Sequence, residues 1–243
     1  ETKISNDLNY SSDTYISNTG LSNNLNLYFK NLNSLGKKNS TYKSSPQIEF
    51  ITLFEATASL PLVKKKTYYD NYLTPKISFK FNPSDMKNYS TKSRIVDTSN
   101  VFSSNRLGLS DTFESGRSLT LGLDFKKEKK NMEDINNYFE IKLATVLRDK
   151  KEEFIPKKST LHRKTSNMFG SVTNNLNDKI IFDYKFSLDN DFNTFEYNQF
   201  DTTLSFNNLT TTFSFLEENG EMGDANALES SLSYNFDDSN FLT

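Results

Sequence analysis

Apolar side chains recur at every second position over long runs of this 243-residue chain, and this period restricts the fold more than any other feature. Successive side chains of a β-strand point to opposite faces, whereas an α-helix repeats about every 3.6 residues. The pattern therefore predicts at least seven strands, each with one apolar and one polar face. Their apolar positions are Ile77, Phe79 and Phe81; Leu119, Leu121, Leu123 and Phe125; Phe139, Ile141 and Leu143; Phe182, Tyr184, Phe186 and Leu188; Leu204 and Phe206; Phe213 and Phe215; and Leu228, Leu232, Tyr234 and Phe236.

Polar segments of two lengths separate these runs. Asn207 and Asn208 stand between two of them, and Asn tolerates the positive φ that a two-residue hairpin turn needs, so neighbouring strands are predicted to be antiparallel. With weaker alternating runs at 25–29 and 48–54, we expect about eleven to thirteen strands. The longer polar segments, which predict loops, are 82–104, 126–137, 148–168 and 217–227.

Composition excludes several kinds of site. The chain has no cysteine and one histidine, His162, which excludes disulfides, thiolate nucleophiles, cysteine-ligated zinc and multi-histidine metal sites. A Ser-His-acid site would have to join Ser159 and His162 to a distant carboxylate, so a solvated loop histidine is expected instead. The formal net charge of -2 gives no electrostatic reason to bind nucleic acid. We expect no enzyme activity, catalytic residue, metal or cofactor.

Alternating strands suit either a soluble sandwich, where apolar residues face inward, or a transmembrane barrel, where they face lipid. Two features favour the barrel. The polar positions carry charges, Asn, Ser and Thr, and aromatic residues are predicted near strand ends, as in the girdles of membrane barrels, at 138–139, 182–186 and 234–236. No stretch approaches the length of about 18 apolar residues that a transmembrane helix needs.

The sequence therefore predicts an all-β fold: an antiparallel up-and-down transmembrane β-barrel, present as a partial barrel or curved open sheet. No domain boundary is visible, so residues 1–243 are expected to form one fragment of a barrel domain. We also expect a fragment because the first residues lack an initial Met and an apolar signal segment. Two basic runs, 64–66 and 126–130, are expected to be solvated loop tips; contact with phosphorylated sugars or lipid headgroups is the alternative.

One segment, residues 99–125, is unusually rich in paired charges and glycines directly before an alternating strand. Its charged side chains allow two interpretations: a loop folded back on the polar face of the sheet through Arg-carboxylate pairs, or a plain surface loop whose charges are satisfied locally. The candidate site residues in and around this loop are Phe102, Asn105, Arg106, Gly108, Asp111, Glu114, Gly116 and Arg117.

This segment resembles the C-terminal barrel of the LPS-assembly outer-membrane proteins, the LptD family. Members carry Phe, then Asn-Arg, a short Phe/Ser/Gly step, Asp-Arg, Glu, Gly and an alternating strand; here Leu107 replaces an aromatic residue and Thr112 an arginine. Four further segments resemble the family in the same order along the chain, so that the similarity covers roughly residues 46–191. They are Ala58 to Lys65, Tyr72 to Pro83, Phe154 to Gly170, and Phe182 to Asp191.

The resemblance implies that this chain is the middle of a very large barrel in the cell outer membrane of a Gram-negative bacterium, which inserts lipopolysaccharide into the outer leaflet. In the family the barrel holds a plug lipoprotein, and a periplasmic jellyroll receives lipopolysaccharide from a periplasmic bridge. Neither the jellyroll nor the barrel-closing strands can be recognised here. The implied partners are lipopolysaccharide, the lipoprotein, the bridge and membrane lipid, with no nucleic acid. A passive porin or nutrient-uptake barrel is the alternative function.

Overall fold

In the computed structural model, described for residues 1–38, 41–130, 137–177, 179–236 and 241–242, the chain forms one antiparallel β-sheet. Eleven strands of 9 to 14 residues make up most of it, together with three short segments and one 3₁₀ turn, Lys157–Ser159. No helix in these described ranges is long and apolar enough to cross a membrane. The strands are β1 (Thr2–Ser11), β2 (Tyr15–Ile16), β3 (Ser22–Leu35), β4 (Gln47–Ser59), β5 (Leu62–Lys65), β6 (Tyr69–Asn82), β7 (Gly116–Lys129), β8 (Tyr138–Arg148), β9 (Met168–Asn177), β10 (Ile180–Leu188), β11 (Phe195–Phe206), β12 (Leu209–Glu218), β13 (Asn226–Asn235) and β14 (Phe241–Leu242).

The long strands neighbour one another in chain order, as an up-and-down sheet requires. The order is β1-β3-β4-β6-β7-β8-β9-β10-β11-β12-β13-β14, with β2 beside β3 and β5 beside β6. Because β1 and β14 are the two ends of this order, the sheet over the described residues is open. All-β architecture, antiparallel pairing and the number of long strands are therefore confirmed.

Connections alternate in length from one end of the strands to the other. Asn207 and Asn208 join β11 to β12, and the positive φ of Asn207, 52°, confirms the predicted tight turn. At the opposite ends, loops of residues 83–115 and 149–167 follow β6 and β8. We call these two segments loop A and loop B.

Two local expectations were wrong. The lysine-rich segment predicted as a loop from residue 126 is strand as far as Lys129, because cross-strand pairing overrides the low strand preference of lysine; residues 131–136 lie outside the described ranges. Aromatic residues sit at the start of β8 and the end of β13 as expected, but those of β10 run along its middle.

The chain divides into two compact units, each with the same pattern of faces. The first unit comprises residues 1–60, 76–121 and 145–166. One face of its strands leaves large apolar side chains exposed, and we call this the apolar face; the other, the polar face, buries charged and polar side chains beneath loops A and B. The exposed set includes Leu25, Leu27, Phe29, Ile48, Phe50, Ile77, Phe79 and Leu121, and the buried set includes Lys30, Glu55, Ser78, Lys80, Asn82, Ser118 and Thr120.

The second unit comprises residues 61–75, 122–144 and 167–243. Its apolar face is also exposed; the side chain of Leu228, for example, keeps 69% of its accessible area. Its polar face carries a network of short hydrogen bonds: the Thr173 hydroxyl donates to Asp183 at 2.7 Å, and the Gln199 amide donates to Asp201 at 2.7 Å. Exposed apolar side chains opposite a hydrogen-bonded polar face argue against the soluble sandwich, in which the apolar face would be covered.

Candidate functional site

Loop A folds back onto the polar face of the first unit, and Arg106 anchors it there. The Arg106 side chain is completely buried and forms a bidentate pair with Glu114, with both N–O distances at 2.7 Å. It also donates to Thr120 Oγ1 at 2.7 Å, Ser118 Oγ at 2.8 Å and the Val101 carbonyl oxygen at 3.2 Å. All five N–H groups of the guanidinium therefore have an acceptor.

A second arginine reaches the same carboxylate from the end of β8. Arg148 pairs with Glu114 Oε1 and also donates to the Ser115 carbonyl oxygen. Burial alone would raise the pKa of the Glu114 carboxyl, but the charges of Arg106 and Arg148 outweigh it and lower that pKa to about 2. Glu114 thus remains an anion and joins loop A to β8 through Arg148, while Arg106 joins the loop to β7.

The lowered pKa makes the contribution of Glu114 to stability depend on pH. A carboxyl whose pKa falls from 4.5 to about 2 on folding stabilises the protein fully above pH 4.5 and progressively less as the pH falls towards 2. The difference in free energy of unfolding between the native chain and Glu114→Gln should therefore be constant above pH 4.5 and narrow below it. Urea unfolding in detergent micelles at a series of pH values measures this difference.

The partly exposed pair of Glu128 with Lys126 supplies a matched control, since Glu128→Gln removes a carboxylate whose side chain is 34% exposed. This variant should differ little from the native chain at any pH. A Glu114→Gln difference that stays unchanged down to pH 2 would contradict the assigned ion pairs.

Asp111 fixes a second point of loop A through two tyrosines. The hydroxyls of Tyr42 and Tyr89 both donate to Asp111 Oδ2. Burial, followed by the bond to Asp111, raises the pKa of both phenols above the ordinary value of 10.0. Burial opposes ionisation of Asp111, but the two hydroxyls outweigh it, so its pKa lies below the ordinary value. Tyrosine donors thus bind the carboxylate where the family pattern places an arginine at position 112.

Turn geometry explains Asn105 and Gly108 in loop A and Gly116 at the start of β7. The Asn105 side chain accepts from the Leu109 N–H at 3.0 Å and donates to the Leu109 carbonyl at 2.9 Å, which closes the turn around Gly108. Gly116 has a φ of 78°, and a Cβ there would lie 3.2 Å from Nη2 of Arg148. A side chain at Gly116 would therefore disturb the ion-pair cluster as well as strain the backbone.

Two of the expected site residues lie outside this cluster. Phe102 is half-buried, and the Lys76 ammonium lies 5.9 Å from the centre of its ring. Arg117 is exposed, with its guanidinium 5.3 Å from the ring centre of Phe81. Arg117 precedes Ser118 in β7, and because successive strand side chains point to opposite faces, its side chain points away from the buried Ser118.

Loop B packs beside loop A. The Ser115 hydroxyl donates to Glu152 at 2.7 Å, the Tyr89 N–H donates to the Phe154 carbonyl at 2.8 Å, and the Lys157 N–H donates to the Ser90 carbonyl at 3.2 Å. The two loops supply much of the apolar core of the first unit, which is why they remain ordered without regular secondary structure. Their buried apolar side chains are Met86, Tyr89, Val96, Val101, Leu107, Leu109, Ile155 and Leu161.

Loop B also holds His162 and Ser159, the two residues that a hydrolytic site would need. The Ser159 hydroxyl donates to the Pro156 carbonyl at 2.6 Å and accepts from the Leu161 N–H, so it closes a 3₁₀ turn. His162 is half-buried, and its carbonyl oxygen accepts from the Glu152 N–H at 2.9 Å. Among the described residues, no group of three or more acidic or histidine side chains is placed to hold a metal ion.

The second unit repeats the arrangement on a smaller scale. The buried Asn167 amide donates to Glu196 at 2.6 Å and to Ser187 at 3.0 Å. The Glu196 carbonyl accepts from the Asn219 N–H at 2.8 Å, which attaches the β12–β13 loop to the start of β11. The buried Glu196 carboxylate therefore binds the last residue of loop B, and the backbone of the same residue binds the β12–β13 loop.

Comparison with known families agrees with this arrangement. A search of curated proteins finds no match. A family model, described as LPS transport system D, matches residues 50–238, which is more than half of the chain and includes loops A and B. The chain therefore belongs to the LptD family, and its role lies in lipopolysaccharide transport.

Proposed function

We propose that this chain forms part of the wall of an outer-membrane β-barrel through which lipopolysaccharide passes to the outer leaflet. The observation that carries the proposal is the arrangement of faces, with large apolar side chains exposed on one side of the strands and hydrogen-bonded polar side chains on the other. The apolar face would contact lipid, and the polar face would line a wet interior. The position within the barrel, near its middle, is part of the proposal and follows from the resemblance.

The chemistry of the polar face suits passage of a saccharide. Thr173, Asp183, Gln199 and Asp201 offer hydroxyl, amide and carboxylate groups that already bond one another. Such groups exchange partners with a sliding sugar chain without forming a single tight site, which passage requires. No covalent step is involved, so this part of the barrel would act without catalytic residues or a cofactor.

Loops A and B would narrow the interior on the first unit. Buried ion pairs attach loop A to the polar face, and hydrogen bonds and buried apolar side chains hold loop B beside it, so both loops are held as part of the wall. The lipoprotein plug would occupy the rest of the interior, and the periplasmic bridge would deliver lipopolysaccharide from the other compartment.

Site-specific photo-crosslinking tests which face of the strands contacts membrane lipid and which contacts lipopolysaccharide during transport. The whole protein is reconstituted with its lipoprotein and with a periplasmic bridge that is loaded with lipopolysaccharide. A photoreactive residue at Ser171, which lies on the polar face, should then crosslink to lipopolysaccharide only while transport is running. The matched control is Val172, the next residue of β9, which pairs with Ile141 on the apolar face. At that position, crosslinks to membrane lipid should form whether or not transport is running.

Transport-independent lipid crosslinks at Ser171 would contradict the proposal. The alternative, a passive porin or nutrient-uptake barrel, predicts ion conductance that does not depend on the lipoprotein and no delivery of lipopolysaccharide to the outer surface. Conductance across a planar bilayer and the amount of surface lipopolysaccharide separate the two functions.

A further inference from the structure

A groove of about 840 Å³ in the second unit lies between the β5–β6 hairpin and the far end of β7, away from the ends that carry loops A and B. Its floor is apolar, with Leu62, Leu73 and Phe125 among the lining residues. Three lysines, Lys64, Lys66 and Lys127, stand around it, and all three are exposed. The groove therefore combines apolar area with positive charge.

Its position on the strands indicates what it faces. Leu62 pairs with Leu73 across β5 and β6, so the two side chains share a face, and Leu73 is 37% exposed. Lys64 follows Leu62 by two residues, and Lys127 follows Phe125 by two, so each lysine continues the same face towards the strand end. The lysines thus lie where the apolar face stops.

The charge is concentrated and held in place. The runs 64–66 and 126–130 contain seven lysines and one acidic residue, although the whole chain has a formal net charge of -2. Lys127 lies 4.3 Å from the ring centre of Tyr69, a cation–π contact that orients its ammonium. Lys130 pairs with Asp70 at 3.0 Å and donates to the Lys66 carbonyl at 2.8 Å, which ties β7 to the hairpin.

We propose that this groove, the lysine groove, binds the phosphate headgroups of anionic phospholipids at the membrane surface. An apolar floor suits the upper acyl chain, exposed lysines suit the phosphate, and tyrosine beside lysine is typical of a membrane interface. The inference rests on the proposed contact of the apolar face with lipid, and it adds a headgroup preference that this contact alone does not require.

Lipid retention by the whole protein tests the proposal. Protein folded in micelles that contain equal amounts of phosphatidylglycerol and phosphatidylcholine is examined by native mass spectrometry. The triple variant Lys64→Gln, Lys66→Gln, Lys127→Gln should bind phosphatidylglycerol about tenfold or more weakly, since lysines near a membrane surface attract anionic lipid. Phosphatidylcholine retention should stay unchanged, and the corresponding Lys→Arg triple variant should keep the affinity.

A matched triple variant, Lys37→Gln, Lys43→Gln, Lys151→Gln, removes the same charge from exposed lysines in other loops and should bind phosphatidylglycerol normally. Equal losses in both triple variants, or no loss in the first, would overturn the proposal. The proposal would also be overturned if the first triple variant lost binding only to lipopolysaccharide added to the micelles, because the groove would then bind a different lipid. Lipopolysaccharide delivery is measured on the same samples. If the first triple variant retains less phospholipid but still delivers lipopolysaccharide as well as the native protein does, the proposed function is unaffected. Failure of the native protein to deliver would count against the proposed function alone.

Discussion

Replacing Arg106 with alanine is expected to lower the free energy of unfolding by about 3 kcal/mol or more, because the change breaks a buried ion pair. The variant loses the bidentate contact to Glu114 and leaves Ser118 and Thr120 without the donor that they share. Arg106→Lys should recover only part of the loss, since an ammonium cannot reproduce the planar fork of a guanidinium. Urea unfolding of the chain in micelles, followed by far-ultraviolet circular dichroism, measures the difference.

Arg117→Ala is the matched control. Arg117 belongs to the same strand as Ser118, but it is exposed and its guanidinium lies over the ring of Phe81. Its removal should cost about 0.5 to 1 kcal/mol, the usual size of an exposed cation–π contact. Equal losses for the two arginine variants would show that the pairs at Arg106 do not stabilise loop A.

Replacing Gly170 with alanine is expected to cost about 1 to 3 kcal/mol, the usual penalty for overpacking. Gly170 pairs with Phe186 across β9 and β10, and the phenyl ring covers the glycine so closely that an added Cβ would lie 2.0 Å from Cζ of Phe186. The ring is held by neighbours on both sides, with Tyr184 and Phe195 each 5.6 Å away between ring centres, so it cannot readily move aside.

A double-mutant cycle isolates this contact. In a Phe186→Ala background the clash is absent, and Gly170→Ala should then have almost no cost. The same unfolding measurement on all four variants gives the coupling between the two positions. A cost for Gly170→Ala that is equal in both backgrounds would contradict the predicted overpacking.

The sequence predicted the parts of the fold that depend on local pattern. Alternation located β7, whose apolar side chains all lie on one face, and β10, where apolar residues recur at every second position from Phe182 to Leu188. The Asn207-Asn208 turn followed from backbone preference. β1 was missed because its apolar face is interrupted by Asn6 between Ile4 and Leu8, which leaves too few apolar positions to show a period. Its pairing with β3 depends on the partner strand, and a sequence pattern does not reveal that.

The site was predictable only where its members lie close together in sequence. Arg106 and Glu114 are 8 residues apart, and their opposite charges in one loop indicate a pair. Arg148 is 34 residues from Glu114, and Tyr42 is 69 from Asp111, so no spacing connects them. These partners meet because the strands bring distant loops to one face, and tyrosine, which is common in the chain, gives no signal of such a role.

The difference between the two-residue turn and loop A has a consequence for the order in which the sheet assembles. Closing the 33 residues between β6 and β7 costs about 2 to 3 kcal/mol more conformational entropy than closing the turn between β11 and β12. Hairpins with tight turns form in microseconds, so the β11–β12 ribbon would be an early nucleus during biogenesis. Pairing of β6 with β7 would be slow, because it requires the buried ion pairs of loop A to form. The contacts that stabilise the finished wall would therefore also limit the rate at which this part of the sheet assembles.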